Sequence, residues 1–124
     1  MTKPLALVVY QSLMPGSQVV NRLQDLGYRV LSMNDPWALR ETAEREKPIV
    51  VVIDLACKSI DPLPAITAVR QHGATSHIPI VAFAQSVDDP FIETAQNAGV
   101  TLVANEAAIL TQLPRLLDRA LECD

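Results

Sequence analysis

The stretch PIVVVIDLACKS, Pro48 to Ser59, runs an aliphatic segment straight into Asp54, a carboxylate where a buried strand has no use for charge. Such a group is either reactive or the remnant of a reactive site. Its neighbours in type decide which chemistries are open. A nucleophile needs a base and a group to orient that base, and no such set can be assembled here, because the two histidines, His72 and His77, fall away from Asp54. Neither G-x-G-x-x-G nor G-x-x-x-x-G-K-[ST] occurs, and the turn YQSLMPGS holds one glycine, too few for a phosphate cradle. Cys57 and Cys123 have no metal or redox spacing and read as free thiols.

The elements that must position Asp54 are legible as a five-fold alternation. Apolar runs rich in β-branched residues cover Leu5 to Tyr10, Tyr28 to Met33, Ile49 to Asp54, Ile78 to Ala84 and Val100 to Ala104. Between them lie helical patterns. Pro15 to Leu26 ends at Gly27, and a second helix opens at Asn34-Asp35-Pro36 and closes at Pro48. Pro64 to His72 puts Ile66, Val69 and Arg70 at helical spacing, Asp88-Asp89-Pro90 opens a fourth helix that stops at Gly99, and Thr111 caps a last one from Gln112 to Glu122. The alternation predicts an α/β fold, a doubly wound five-stranded parallel sheet of flavodoxin-like type with order 2-1-3-4-5, as one domain over residues 1–124.

Composition narrows the function classes. The chain has 124 residues, 49% of them hydrophobic, and a net charge of −4 with scattered Lys and Arg. That balance argues against nucleic acid as a partner. No apolar stretch approaches the roughly 20 residues of a membrane-spanning helix, and the N-terminus lacks a signal-peptide pattern, so a cytoplasmic protein is expected.

The pattern as a whole, with LQDLGYRV closing the first helix, VVVID, the IPIVAFA strand and the AQNAGV entry to the fifth strand, resembles a bacterial response-regulator receiver domain of the CheY-like family. The resemblance covers nearly the whole chain. It implies that Asp54 stands where receivers accept phosphoryl from a histidine kinase. It also implies losses. The Mg²⁺-holding acidic pair falls on Tyr10 and Gln11, the hydroxyl residue on Ala84, the lysine on Asn105, the following proline on Glu106 and the aromatic switch residue on Leu102. Phosphoryl transfer is mostly positioning and charge neutralisation, so a lone carboxylate is a poor acceptor.

The expectation is a stand-alone pseudo-receiver, not an enzyme, that binds neither metal nor cofactor and acts in signal transduction through a protein partner, a signalling protein or a second copy of itself. The resemblance places the partner surface on the fourth helix, fifth strand and last helix, at Glu93, Asn97, Leu102, Asn105 and Arg115. Two alternatives stand beside it: a phosphorelay receiver modified on Asp54, and a small-molecule-binding flavodoxin-like domain. Asp61, Asp88, Asp89 and Glu106 are candidates to rebuild a metal site, against simpler roles as caps and turn residues. Tyr10 either hydrogen-bonds Asp54 or covers the strand end. Trp37 is expected to pack, with an interface anchor as its other role.

Overall fold

The computed structural model describes residues 4–10, 13–55, 62–84 and 88–122. Five strands, β1 Leu5–Val9, β2 Arg29–Met33, β3 Val50–Asp54, β4 Ile80–Ala84 and β5 Leu102–Asn105, form one parallel sheet in the order β2-β1-β3-β4-β5. β1, β3 and β4 are buried at every residue, as strands covered on both faces must be.

Alternation along the strands divides the core. Ala6, Val8, Val50, Val52, Val81 and Phe83 face one side, packed by Val19 and Leu23 of α1 (Leu13–Asp25), Ile109 of α5 (Glu106–Thr111), and Leu113, Leu116 and Leu117 of α6 (Leu113–Glu122). Leu7, Val9, Val51, Ile53, Ile80 and Ala82 face the other, under Leu39 and Ala43 of α2 (Leu39–Glu46), Ile66 and Val69 of α3 (Pro62–Gln71) and Ala95 of α4 (Asp89–Ala98). Each fully buried large aliphatic or aromatic side chain contributes about 1.5–3 kcal/mol to holding these layers together. No helix among the described residues is long and apolar enough to cross a membrane.

Several boundaries differ from those read in the sequence, for local reasons. β5 starts at Leu102, not Val100, because Gly99 and Val100 are spent closing α4: Gly99 N–H donates to Gln96 O and Val100 N–H to Ala95 O, with Gly99 at φ +120. The same motif at Gly27 and Tyr28 closes α1. Before α2, Asp35 Oδ1 accepts from Trp37 N–H at 3.0 Å and opens a 3₁₀ turn, Pro36–Ala38. Trp37 on that turn is 59% exposed, so the packing role expected of it is overturned. The last helix forms as α6, but an additional helix, α5, precedes it, and Thr111 belongs to α5, its hydroxyl donating to Ala107 O instead of capping α6.

Lys47 ends α2 in the left-handed conformation, φ 53 and ψ 56, with its N–H on Ala43 O. An L side chain is strained there. Lys47→Gly is therefore expected to raise stability by about 0.5–1 kcal/mol, read as a higher urea midpoint; a lower midpoint would show that the lysine side chain outweighs the backbone strain.

At the amino-terminal end of the sheet Arg70 joins three segments. Its Nε donates to Gly99 O at 2.7 Å, Nη1 to Ser76 O at 2.8 Å and Ile78 O at 2.6 Å, and Nη2 to Thr101 Oγ1 at 2.9 Å. Burial pushes its guanidinium below the usual arginine value. Tyr28 packs against the α1/α6 core, and burial, followed by the charge of Asp118, raises its phenol above the ordinary tyrosine value. The folded state then holds that proton more tightly than the unfolded chain, so stability present below about pH 10 falls as pH rises through the folded value. Tyr28→Phe is expected to remove this part of the alkaline loss in urea unfolding followed against pH.

Candidate functional site

Asp54, Ala84 and Asn105 are the last residues of β3, β4 and β5, and Tyr10 follows β1. Register sets all four at the carboxyl edge. Asp54 pairs with Phe83 and Ala84 with Asn105, while Val9 pairs with Ile53, which sets Tyr10 one step on, beside Asp54. Parallel partners project to the same face, so Asp54 lies on the side that carries Val52 and Phe83, toward α1 and α5.

Asp54 is only 4% exposed, and a carboxylate so placed must be met by donors or lose its charge. It is not without a partner in the structure. Tyr10 and Asn105, polar side chains at the same edge, are engaged elsewhere. Tyr10 gives its backbone N–H to Met33 O at 2.9 Å, and its ring lies over Gly16 in the first turns of α1, where a Cβ would run into ring carbons. Among the described residues no hydrogen bond joins Tyr10 to Asp54, so Tyr10 covers the strand end.

Asn105 is turned to a different task. With extended backbone, φ −82 and ψ 170, its Oδ1 accepts from Ala108 N–H at 2.7 Å and caps α5. Glu106 follows in the first turn, where a negative charge suits the helix dipole. The two residues in the resemblance's lysine and proline positions are thus a helix start. Ala84, 6% exposed, presents a methyl at the position the resemblance gives to a hydroxyl residue.

The remaining acids give no cluster. Asp88 is exposed just before α4, its carbonyl accepting from Ile92 N–H, and Asp89 opens the helix. Among the described residues no group of three His, Cys, Asp or Glu is placed to hold a metal ion. Gln11, Asp61, Cys57 and Cys123 lie outside the described residues.

The expected partner surface is assembled around an edge strand. Glu93 and Asn97 are exposed on α4, four residues apart and so on one helix face. Leu102 is half-buried on β5, Asn105 is exposed at its end, and Arg115 is exposed on α6. α4 and α6 pack on opposite faces of the sheet and flank β5. One site residue escaped the sequence reading: Gly16, whose missing side chain admits the Tyr10 ring, a close approach that spacing does not encode.

No family model matches the sequence. No curated protein matches it either. Solved structures do match in fold. The chemotaxis protein CheY4 of Vibrio cholerae aligns over 97% of this chain and 100% of its own, with TM-score 0.87 and 21% identity. The receiver domain of a sensor histidine kinase from Pseudomonas aeruginosa, which has a magnesium ion coordinated in its active site cleft, aligns over 98% and 99%, with TM-score 0.86 and 21% identity. The signal receiver domain of the putative response regulator NarL from Mycobacterium tuberculosis covers 100% of both chains, with TM-score 0.83 and 15% identity. The chain therefore has the receiver-domain fold.

Proposed function

We propose that this chain works as a non-enzymatic pseudo-receiver in the cytoplasm, with residues 1–124 forming a single domain that signals by binding a protein partner independently of phosphorylation. The observation that carries the reading is the use of Asn105. The residue in the position that the resemblance gives to a receiver's phosphate-binding lysine carries no positive charge, and its side chain is engaged in capping α5. Ala84 and the Tyr10 ring support the same reading from the other strands. The Pseudomonas neighbour has a magnesium ion coordinated in its active site cleft, and the position after β1, where the resemblance puts one of the Mg²⁺-holding acids, is aromatic in this chain.

The partner surface in this reading is α4, β5 and α6, with Glu93 and Asn97 on one flank, Arg115 on the other, and Leu102 and Asn105 between. Rim charges of opposite sign on two flanks of an apolar strand suit either a signalling protein or a second copy of the chain. The experiment is affinity capture from a lysate of the native cell, paired with sedimentation velocity of the pure protein. Wild type and Asp54→Asn are expected to capture the same protein or self-associate equally, and Glu93→Lys or Arg115→Glu, each alone, to lose it. If Asp54→Asn abolishes binding while its unfolding midpoint is unchanged, the carboxylate is a working group and the reading fails.

A further inference from the structure

At the amino-terminal end of the sheet, away from Asp54, a cavity of about 350 Å³ opens between the end of α2 and the segment leading into β4. Glu44, Lys47, Pro48, Ala74, His77 and Ile78 line it. Its volume falls in the range of small-molecule sites, about 300–1,000 Å³. Pro48 and Ile78 are buried and supply an apolar floor. The polar groups at the rim carry both signs of charge.

Glu44 Oε2 lies 3.3 Å from Arg40 Nη1 and 3.0 Å from His72 Nε2, the latter out of line for a hydrogen bond. Its Oε1 has no partner among the described residues. Lys47 and His77 make no side-chain hydrogen bond or ion pair among the described residues either. Lys47 is also the described non-glycine residue held at positive φ, a conformation glycine would adopt without strain. Strain kept at one residue is a pointer to use of its side chain.

The charges select the ligand class. A simple anion would meet Lys47 but also Glu44 and the negative end of the α2 dipole. A simple cation would meet Glu44 but also Lys47. A zwitterion satisfies both. We propose that this cavity binds a small aliphatic α-amino acid, its carboxylate on Lys47 and His77, its ammonium on Glu44 at the C-terminal end of α2, and its side chain over Pro48, Ala74 and Ile78.

The proposal is independent of the carboxyl-edge reading and is tested by nuclear magnetic resonance titration of the ¹⁵N-labelled chain with L-leucine. Saturable shifts centred on Glu44, Lys47, Ala74 and His77 are expected, with a Kd on the order of 1 mM. 4-Methylpentanoate, which lacks the ammonium, and 3-methylbutylamine, which lacks the carboxylate, are each expected to bind about tenfold or more weakly than leucine. Lys47→Met and Glu44→Gln should each weaken leucine binding about tenfold with an unchanged circular dichroism spectrum. Lys47→Gly should do the same while gaining stability, a combination that a purely structural lysine cannot produce. No saturable shift up to about 20 mM leucine, equal binding of either single-charge analogue, or undiminished binding by Lys47→Met overturns the proposal.

Discussion

Acetyl phosphate with millimolar Mg²⁺ is expected to leave this chain at its unmodified mass, and beryllofluoride to leave its amide spectrum unchanged. A carboxylate attacks a phosphoryl group only when the repulsion between them is neutralised, and in the proposed reading the positions of the neutralising groups carry other residues. Asn105 is neutral and caps α5, Ala84 has no hydroxyl, and the Tyr10 ring, packed on Gly16, follows β1. Removing one preorganised donor from a charged transition state costs about 10²–10³ in rate, so losing a cation and a hydroxyl together predicts a fall of about 10⁴ or more. Asn105→Lys alone is not expected to restore transfer, because it adds charge without the metal and removes the α5 cap. Intact-mass spectrometry decides. A clean adduct that disappears in Asp54→Asn would return the chain to the phosphorelay reading.

Arg70→Ala is expected to destabilise the fold by about 3 kcal/mol although the side chain is only half-buried. The guanidinium satisfies carbonyls of Gly99, Ser76 and Ile78 and the Thr101 hydroxyl, which also accepts from Ile80 N–H at 3.1 Å. Hydrogen bonds from charged donors contribute about 1.5–3 kcal/mol each in favourable cases, but this site is partly open, and water replaces some of them. Arg70→Lys should recover less than half, because an ammonium cannot reproduce the fork. Gly99→Ala should approach the same loss by a different route: φ +120 is strained for alanine, and the added Cβ would run into the Arg70 stem. Denaturation followed by circular dichroism measures all three. A loss below about 1 kcal/mol for Arg70→Ala would mean that solvent serves those carbonyls as well.

The sheet was readable because its signals are local. VVVID and IVAFA are apolar on both faces, and Gly27 and Gly99 mark helix ends where left-handed backbone is needed. Strand order followed from the alternation, and with it the placement of Asp54 at the carboxyl edge. What escaped depends on contacts between distant residues or on a choice between two local signals. Asn105-Glu106-Ala107-Ala108 is a helix-start signal, yet the stretch between the fifth strand and Gln112 was given no helix, and Thr111 competed as the cap. Arg70 reads as one more residue on the α3 stripe. Its acceptors at Gly99 and Thr101 are about thirty positions away and meet it only once α4 has turned back to β5. Tyr10 was ambiguous for the same reason, since its environment is made by Gly16.

The exposed indole of Trp37 changes how this molecule can be watched. It is the sole tryptophan of the chain and stands 59% exposed on the 3₁₀ turn rather than in the core. Its emission should already lie near that of a solvated indole in the native protein, so denaturation should shift the spectrum little, and a flat fluorescence trace must not be taken for resistance to urea. The same placement makes Trp37 a reporter of contact. A blue shift on mixing would signal that a second molecule has covered the β2–α2 corner, while binding confined to α4, β5 and α6 should leave the emission unmoved.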